Sequence, residues 1–357
     1  MTMTAPTRYG IGRDRLAALL HEWGEPRYRA GQVWDALYRT VTPVEEASAL
    51  PTALRARLAE AVPLALRHVV ESTSADGQTT KWLWAAGDDG AQVETVLMRS
   101  PRRASVCVSS QAGCAMACSF CATGQAGFDR NLTSGEIVEQ VVRAAHASPQ
   151  RVSNIVYMGM GEPLANYEEA WTSVERLHAD LGISARRITV STVGVVPGMR
   201  RLATEALPVT LAVSLHAADD ELRAALVPLD RRYPIAEVLD AAAEVAGARG
   251  RRVTFEYACI AGVNDAASQI DALGRLLAAW PAVGGAHVNL IPLNPTAEYA
   301  ERPPSRRRLR ELASRLEAQG VRATVRRTRG VDIDAACGQL RARAIPVVPA
   351  PSTRMVP

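Results

Sequence analysis

Three cysteines stand at 114, 118 and 121 in the stretch C-A-M-A-C-S-F-C, a spacing of C-x3-C-x2-C. Thiolates are soft donors that hold zinc, copper(I) or iron–sulfur clusters. A structural zinc site closes with four ligands, usually as two Cys or Cys/His pairs, and no second pair follows here. Three thiolates can instead hold three irons of a [4Fe-4S] cube and leave the fourth iron to an outside ligand. Two readings therefore stand: a three-corner cluster on Cys114, Cys118 and Cys121, or a zinc ion completed by Cys107 or Cys337.

Other residues of unusual type lie downstream. G-M-G-E-P at 159–163 combines glycines, which let a ligand approach the backbone, with a carboxylate, Glu162, that can accept from an amine or a ribose. Cys337 stands alone in A-A-C-G-Q-L. Such a cysteine is ordinarily a buried small hydrophobe, but Gly338 and the preceding Asp332 and Asp334 suggest a loop. Cys259 has no motif around it and reads as core. Arg302, Arg306, Arg307, Arg308 and Arg310 form the densest basic run, either a phosphate-binding patch or a solvated helix face.

The elements that would position these residues alternate along the chain. Strands are predicted at Ser105–Ser110, Asn154–Met160, Arg187–Thr192, Val209–His216, Arg252–Cys259 and Ala286–Pro292. Helices are predicted near Ser134–Ala147, Tyr167–Asp180, Gly198–Glu205, Ile235–Ala248, Ala267–Trp280 and Arg306–Gln319. Six strand–helix units in series predict a parallel α/β sheet, two units short of a closed eight-fold barrel. The expected fold is a partial (β/α)6 TIM-type barrel, whose chemistry belongs at the carboxyl ends of the strands. The cysteine loop, Gly159–Pro163, Ser191–Gly194, Ser214–His216 and Leu293–Pro295 all follow strand ends, so they should converge on one face. Upstream, residues 1–75 read as a small helical domain and 76–103 as a β-hairpin extension with a G-D-D-G turn. The barrel takes 104–345, and 346–357 form a loose proline-rich tail.

The chain has 357 residues, 48% of them hydrophobic, enough for a large core. No apolar run reaches the ~18 residues of a membrane span. The opening M-T-M-T-A-P-T-R-Y-G has no signal-peptide pattern, so a cytoplasmic protein without membrane contact is expected. Net charge is +4, and Lys81 is the single lysine. Mild basicity is compatible with a nucleic-acid partner without establishing one.

The loop C-x3-C-x2-C with Phe120 before its last cysteine, placed after the first barrel strand, resembles the radical S-adenosylmethionine (SAM) superfamily. More of the chain resembles one branch, the RlmN/Cfr family of RNA methyltransferases. The matching stretches are V-C-V-S-S-Q-A-G-C, Y-M-G-M-G-E-P-L-A-N-Y, V-S-T-V-G-V-V-P-G-M, V-S-L-H-A, N-L-I-P-L-N-P and D-I-D-A-A-C-G-Q-L. R-A-G-Q-V-W-D-A-L-Y near the start matches that family's N-terminal domain. Val331 departs, standing where an aspartate is common.

The resemblance implies a [4Fe-4S] cluster on Cys114, Cys118 and Cys121, and SAM held by Gly161, Glu162, Ser191, Ser214, Leu215, His216 and Asn294. It implies two SAM molecules per turnover, one methylating the Cys337 sulfur and one supplying a radical. It assigns Cys107 as a resolving thiol that forms a transient disulfide with Cys337, and Glu94 as proton acceptor; from sequence alone Glu94 reads as a strand's solvent face. The implied substrates are adenines of 23S rRNA and tRNA, methylated at carbon 2, with carbon 8 as the alternative. The implied partner is a flavodoxin-type electron donor, and the enzyme is expected to act as a monomer.

Overall fold

The computed structural model describes residues 6–282 and 284–341. The tail at 346–357 and the last four positions of the barrel segment lie outside the described residues.

Three helices open the chain: α1 (Arg13–Glu22), α2 (Tyr28–Tyr38) and α3 (Thr52–Ala61). Their apolar positions recur at helical spacing and are buried, Leu16 and Leu20 on α1, Val33, Trp34 and Leu37 on α2, Leu54 and Leu58 on α3. Residues 66–73, within the stretch read as helical, form strand β1 (Leu66–Thr73), which pairs antiparallel with β2 (Thr79–Ala86). L-R-H-V-V-E-S-T exposes most of its side chains, so the apolar alternation that marks a half-buried strand is absent. β2 continues into β3 (Ala91–Ser100) and β3 into β4 (Arg103–Cys107), all antiparallel.

β4 is also the first strand of the parallel array. It is followed in register by β7 (Val152–Tyr157), β8 (Ile188–Thr192), β9 (Thr210–Ser214), β10 (Val253–Cys259), β11 (Ala286–Pro292) and β12 (Arg322–Val325). Between β4 and β7 lie a short hairpin, β5 (Gln111–Gly113) and β6 (Phe128–Asn131), the one-turn helix α4 (Ala122–Ala126) and α5 (Ser134–His146). The crossovers that follow carry α6 (Tyr167–Ala179), α7 (Val196–Thr204), α8 (Asp220–Leu226) with α9 (Ile235–Arg249), α10 (Ala267–Ala278) and α11 (Arg306–Ala318).

Six strand–helix units are thus present, with β12 added as a seventh parallel strand. Its sequence, R-A-T-V, is too short and too polar to stand out. The ten-stranded sheet runs from β1 at one edge to β12 at the other, and these edges do not pair with each other. No helix among the described residues is long and apolar enough to cross a membrane.

The opening helices are fixed to the barrel by polar bonds as well as packing. The guanidinium of Arg176 on α6 donates to the Ile11 carbonyl at 3.1 Å and also to the Tyr9 carbonyl and the Tyr38 hydroxyl. Trp34 donates its indole N–H to Asp180 at 3.2 Å. At the junction with β1, the fully buried Glu139 accepts the amides of Ala65 (2.8 Å) and Leu66 (3.1 Å). Bonds of this kind satisfy backbone groups that would be costly to bury unpaired.

Candidate active site

The cysteine loop is clamped at its base by the β5–β6 hairpin. The Cys114 amide donates to the Gly127 carbonyl at 2.6 Å. Gly113, with φ of 73°, would place a Cβ 2.2 Å from that carbonyl, so only glycine fits. The middle of the loop rests on an apolar floor of Leu226, Val227, Ile260 and Leu293, which buries Cys118 and half-buries Phe120 and Cys121. Its far end is tied to the segment that carries Cys337: Ala122 donates to the Gly338 carbonyl (2.8 Å) and the Thr123 hydroxyl to the Leu340 carbonyl (2.5 Å).

The thiols of Cys114, Cys118 and Cys121 line one cavity of about 1040 Å³, its open mouth included. Burial, with Glu162 and Cys121 adding to it, pushes the Cys114 thiol up to about 12, and burial likewise raises Cys118 well above the usual range. Among the described residues no three Cys, His, Asp or Glu side chains converge as ligands to a single ion do. Three soft donors that line one cavity are the donor set that would hold three irons of a [4Fe-4S] cube. Cys107, one candidate to complete a zinc site, packs instead in a separate apolar patch with Val96, Met160, Ala335 and Leu340.

The strand ends supply the opposite wall. Gly161, Glu162, Ser191, Ser214, His216 and Asn294 all line the cavity, and Cys337 with them. Leu215 does not: its side chain is fully buried in the core, its amide donates to the Glu256 carbonyl and its own carbonyl accepts from Arg223.

Glu162 is buried, and its carboxylate already accepts the amides of Leu164 (2.9 Å) and Val193 (2.8 Å). Burial outweighs those bonds and lifts its carboxyl to about 7. The remaining lone pairs are those that an ammonium group could engage.

His216 is buried with its backbone in the left-handed region (φ 64°), a conformation uncommon outside glycine. That turn swings the ring off β9 and edge-on to Phe120, at 4.8 Å. The His216 Nδ1 accepts the Ala258 amide at 3.0 Å, so a neutral ring carries its proton on Nε2. Burial and the charge of Arg223 hold it neutral, with a pKa near 3. Because an unfolded histidine titrates near 6.5, the unfolded chain binds that proton first. This residue therefore costs stability as pH falls from about 6.5 towards 3.

Asn294 lines the cavity and also braces the loop that carries Cys337. Its Nδ2 donates to the Cys337 carbonyl at 2.8 Å, anchoring the loop without touching the thiol. The Cys337 side chain keeps an exposed surface, but that surface faces the recessed cavity, and burial there raises its thiol to about 12.

Cys107 ends β4, paired across the sheet with Val96 and Val156. It packs on Ala335 and Leu340, the residues that flank Cys337. Burial and the charge of Cys337 together push the Cys107 thiol up to about 12. Both residues are free thiols here.

Glu94 is only 3% exposed, so it does not stand on a solvent face. It lines a second groove with Lys81, Gln339 and Arg341. That groove is separated from the cavity by segments that contribute to both, Asn294–Pro295 and Gly338–Gln339. Burial raises the Glu94 carboxyl, while the ammonium of Lys81, 2.8 Å away, opposes it.

Of the basic run, Arg302, Arg306, Arg307 and Arg310 are exposed, whereas Arg308 is half-buried against the Asp265 carbonyl and pairs with Glu311. Arg307 also pairs with Glu311, at 2.8 Å. Cys259 is fully buried in the main core, as its lack of a motif implied. Sequence reading passed over Glu256, buried on β10 in the cavity wall and bound by Asn289 at 2.8 Å. Its one signal is an acid amid apolar residues in V-T-F-E-Y-A-C.

Gly161 carries a testable consequence. With φ of 96°, a Cβ there would lie 2.5 Å from Gln111 Cβ and 2.7 Å from its amide nitrogen. Gly161→Ala is expected to shift the Glu162 turn and raise the SAM dissociation constant by roughly tenfold, about 1.4 kcal/mol. Equilibrium binding of SAM to the anaerobically reconstituted variant measures this, and wild-type affinity would show that the turn does not contact the ligand.

Residues 108–271 match the family model of the Radical SAM superfamily. A protein of Parafrankia sp. (strain EAN1pec) is 51% identical over 354 residues, covering 93% of this chain and 90% of its own length. One of Salinispora tropica is 52% identical over 338 residues, covering 91% and 90%. Both are named probable dual-specificity RNA methyltransferase RlmN. The crystal structure of a radical SAM methyltransferase from Sphaerobacter thermophilus is 49% identical, covers 95% of this chain and all of that one, and superposes with a TM-score of 0.89.

Proposed function

Because the chain belongs to the RlmN family of radical SAM RNA methyltransferases, we propose that it methylates carbon 2 of an adenine in 23S rRNA and in tRNA, with Cys337 as methyl carrier. The observation that supports this most is the presence of Cys337 in the same cavity as the three-cysteine loop, with Cys107 packed against the residues that flank it.

Carbon 2 of adenine is electron-poor, so a methyl cation equivalent cannot be handed to it directly. A [4Fe-4S] cluster held by Cys114, Cys118 and Cys121, together with SAM, would supply radical chemistry that avoids that barrier. The work of the chain's own residues is to carry, hold and release. The Cys337 sulfur accepts a methyl group, a polar displacement that requires the thiolate. Asn294 fixes the Cys337 backbone, which leaves the sulfur free to face its substrates. After the carrier carbon has bonded to the ring, Glu94 would take the carbon 2 proton, and the odd electron left on the ring would pass to a one-electron acceptor of the kind an oxidised iron–sulfur cluster supplies, which restores the aromatic ring. Cys107 then attacks the Cys337 sulfur: the S–S bond forms, the sulfur–carbon bond breaks, and the carbon leaves on the RNA as a methyl group once protonated. A thiol reductant restores the two cysteines, two SAM molecules are consumed, and a flavodoxin-type donor supplies the electron. Exposed Arg302, Arg306 and Arg310 would serve as phosphate contacts, whose contribution falls with salt.

The deciding experiment is anaerobic turnover with methyl-labelled SAM on 23S rRNA and tRNA, followed by nucleoside mass spectrometry. The expected product is 2-methyladenosine in both. Appearance of the 8-methyl isomer would transfer the protein to the Cfr-type reading, and absence of labelled adenosine would overturn the substrate assignment.

A further inference from the structure

Arg223 is among the largest fully buried side chains of the described residues, yet no motif marks it. It sits on α8, whose last turn packs against the cysteine loop: the Leu226 carbonyl accepts the Ser119 amide at 3.0 Å, and Leu222 and Leu226 share an apolar patch with Cys118. All three guanidinium nitrogens are engaged. Nη2 donates to the Val193 carbonyl (2.6 Å) and the Ser214 carbonyl (3.3 Å), Nε to the Leu215 carbonyl (3.1 Å), and Nη1 to Asp230 (2.6 Å). The first three acceptors lie at the ends of β8 and β9, beside Ser191, Ser214 and His216 in the cavity wall.

A planar five-donor fork suits this task in a way a lysine does not. Burying a cation is costly unless it is paired, and a salt bridge to Asp230 with three backbone bonds is a large commitment for one short crossover helix. We propose that Arg223 is a positioning residue that holds the SAM-contacting ends of β8 and β9 and places a fixed positive charge behind Cys118. The proposal rests on the cluster assignment above. Its electrostatic consequence concerns the electron that a cluster accepts. A nearby buried cation favours the reduced state, and a counter-anion weakens that effect, because charge and solvent exposure set cluster potentials.

The test is an EPR-monitored redox titration of reconstituted full-length enzyme, with SAM affinity measured in parallel. Arg223→Met is expected to make the cluster potential more negative and Asp230→Asn to make it less negative. Arg223→Lys keeps the charge and loses the fork, so its potential should stay near wild type while SAM binding weakens at least about tenfold. Shifts of the same sign in the Met and Asn variants, or no shift in Asp230→Asn, would overturn the proposal, as would wild-type SAM affinity in the lysine variant. If Arg223→Met takes up no iron, Asp230→Asn and Arg223→Lys decide. Wild-type protein that incorporates no cluster would sink the underlying assignment instead, a result that no variant is needed to recognise.

Discussion

Cys337→Ala is expected to abolish methyl transfer to RNA, a loss of at least about four orders of magnitude, while iron and sulfide content stay at wild-type levels. The size of the effect follows from chemistry: if the methyl group travels on sulfur, alanine offers no nucleophile and no other route. The selectivity follows from structure. The Cys337 side chain fills no core position and faces the cavity, and the bonds that shape its loop run through backbone atoms, to Asn294 from the Cys337 carbonyl and to Ala122 from the Gly338 carbonyl. Alanine therefore preserves the loop and removes only the thiol. Cys337→Ser separates nucleophile from volume and should be equally inactive, because an alkoxide is not available near neutral pH. A second readout needs no RNA. Intact mass of the isolated protein should show one added methyl on wild type and none on either variant. Labelled RNA produced by Cys337→Ala at even a few per cent of the wild-type rate would mean that the methyl reaches the base directly.

The parts of this site that were legible in sequence are those whose spacing is itself chemistry. Three cysteines within eight residues constrain a ligand before any fold is known, and the alternation of strands and helices carried Ser191, Ser214, His216 and Asn294 to one face because parallel βα units send their loops to the carboxyl edge. Individual contacts were not legible. Asn294 braces the Cys337 carbonyl as well as lining the cavity, and Glu162 caps the turn that follows it while bracing Val193. A side chain's type tells which bonds it can make, and only the three-dimensional neighbourhood tells which bonds it has made. Glu94 shows the converse. Its strand reads as half-exposed, but the segment at 332–341 folds back over it, an overlay between positions more than two hundred residues apart that no local pattern reports.

The missed strands have a common cause. β5 and β6 are three and four residues long, below the length at which alternation can be recognised, and they exist because the cysteine loop needs a clamp. β12 completes the edge through pairing with β11, its own residues being half polar. Arg223 was invisible for the opposite reason: a single arginine in a charged, arginine-rich chain has no pattern, and its meaning comes from the three carbonyls and the Asp230 carboxylate it gathers.

Cys107→Ala is expected to convert a catalyst into a single-use reagent. If Cys107 resolves the covalent species, its removal leaves the RNA joined to Cys337 through a sulfur–carbon bond, so turnover stops at about one per chain and a protein–RNA adduct accumulates. Position favours this role. Cys107 ends β4 and packs in the apolar patch that holds Ala335 and Leu340, which stand on either side of Cys337 in the carrier loop. Alanine at this half-buried site removes a sulfur from a small apolar patch and should cost about 1 kcal/mol of stability, too little to unfold the protein. The adduct is read on a denaturing gel as a nuclease-sensitive shift and located by mass spectrometry at Cys337. Burial also predicts how release responds to pH in the unmodified enzyme. With the Cys107 thiol near 12, its reactive thiolate is a minor form at every workable pH and grows about tenfold per unit. Wherever resolution limits turnover, the rate should climb with that slope and show no plateau below pH 10. Multiple turnovers by Cys107→Ala without any trapped RNA would show that the product leaves Cys337 by another path, and would return Cys107 to the role of a strand-end core residue.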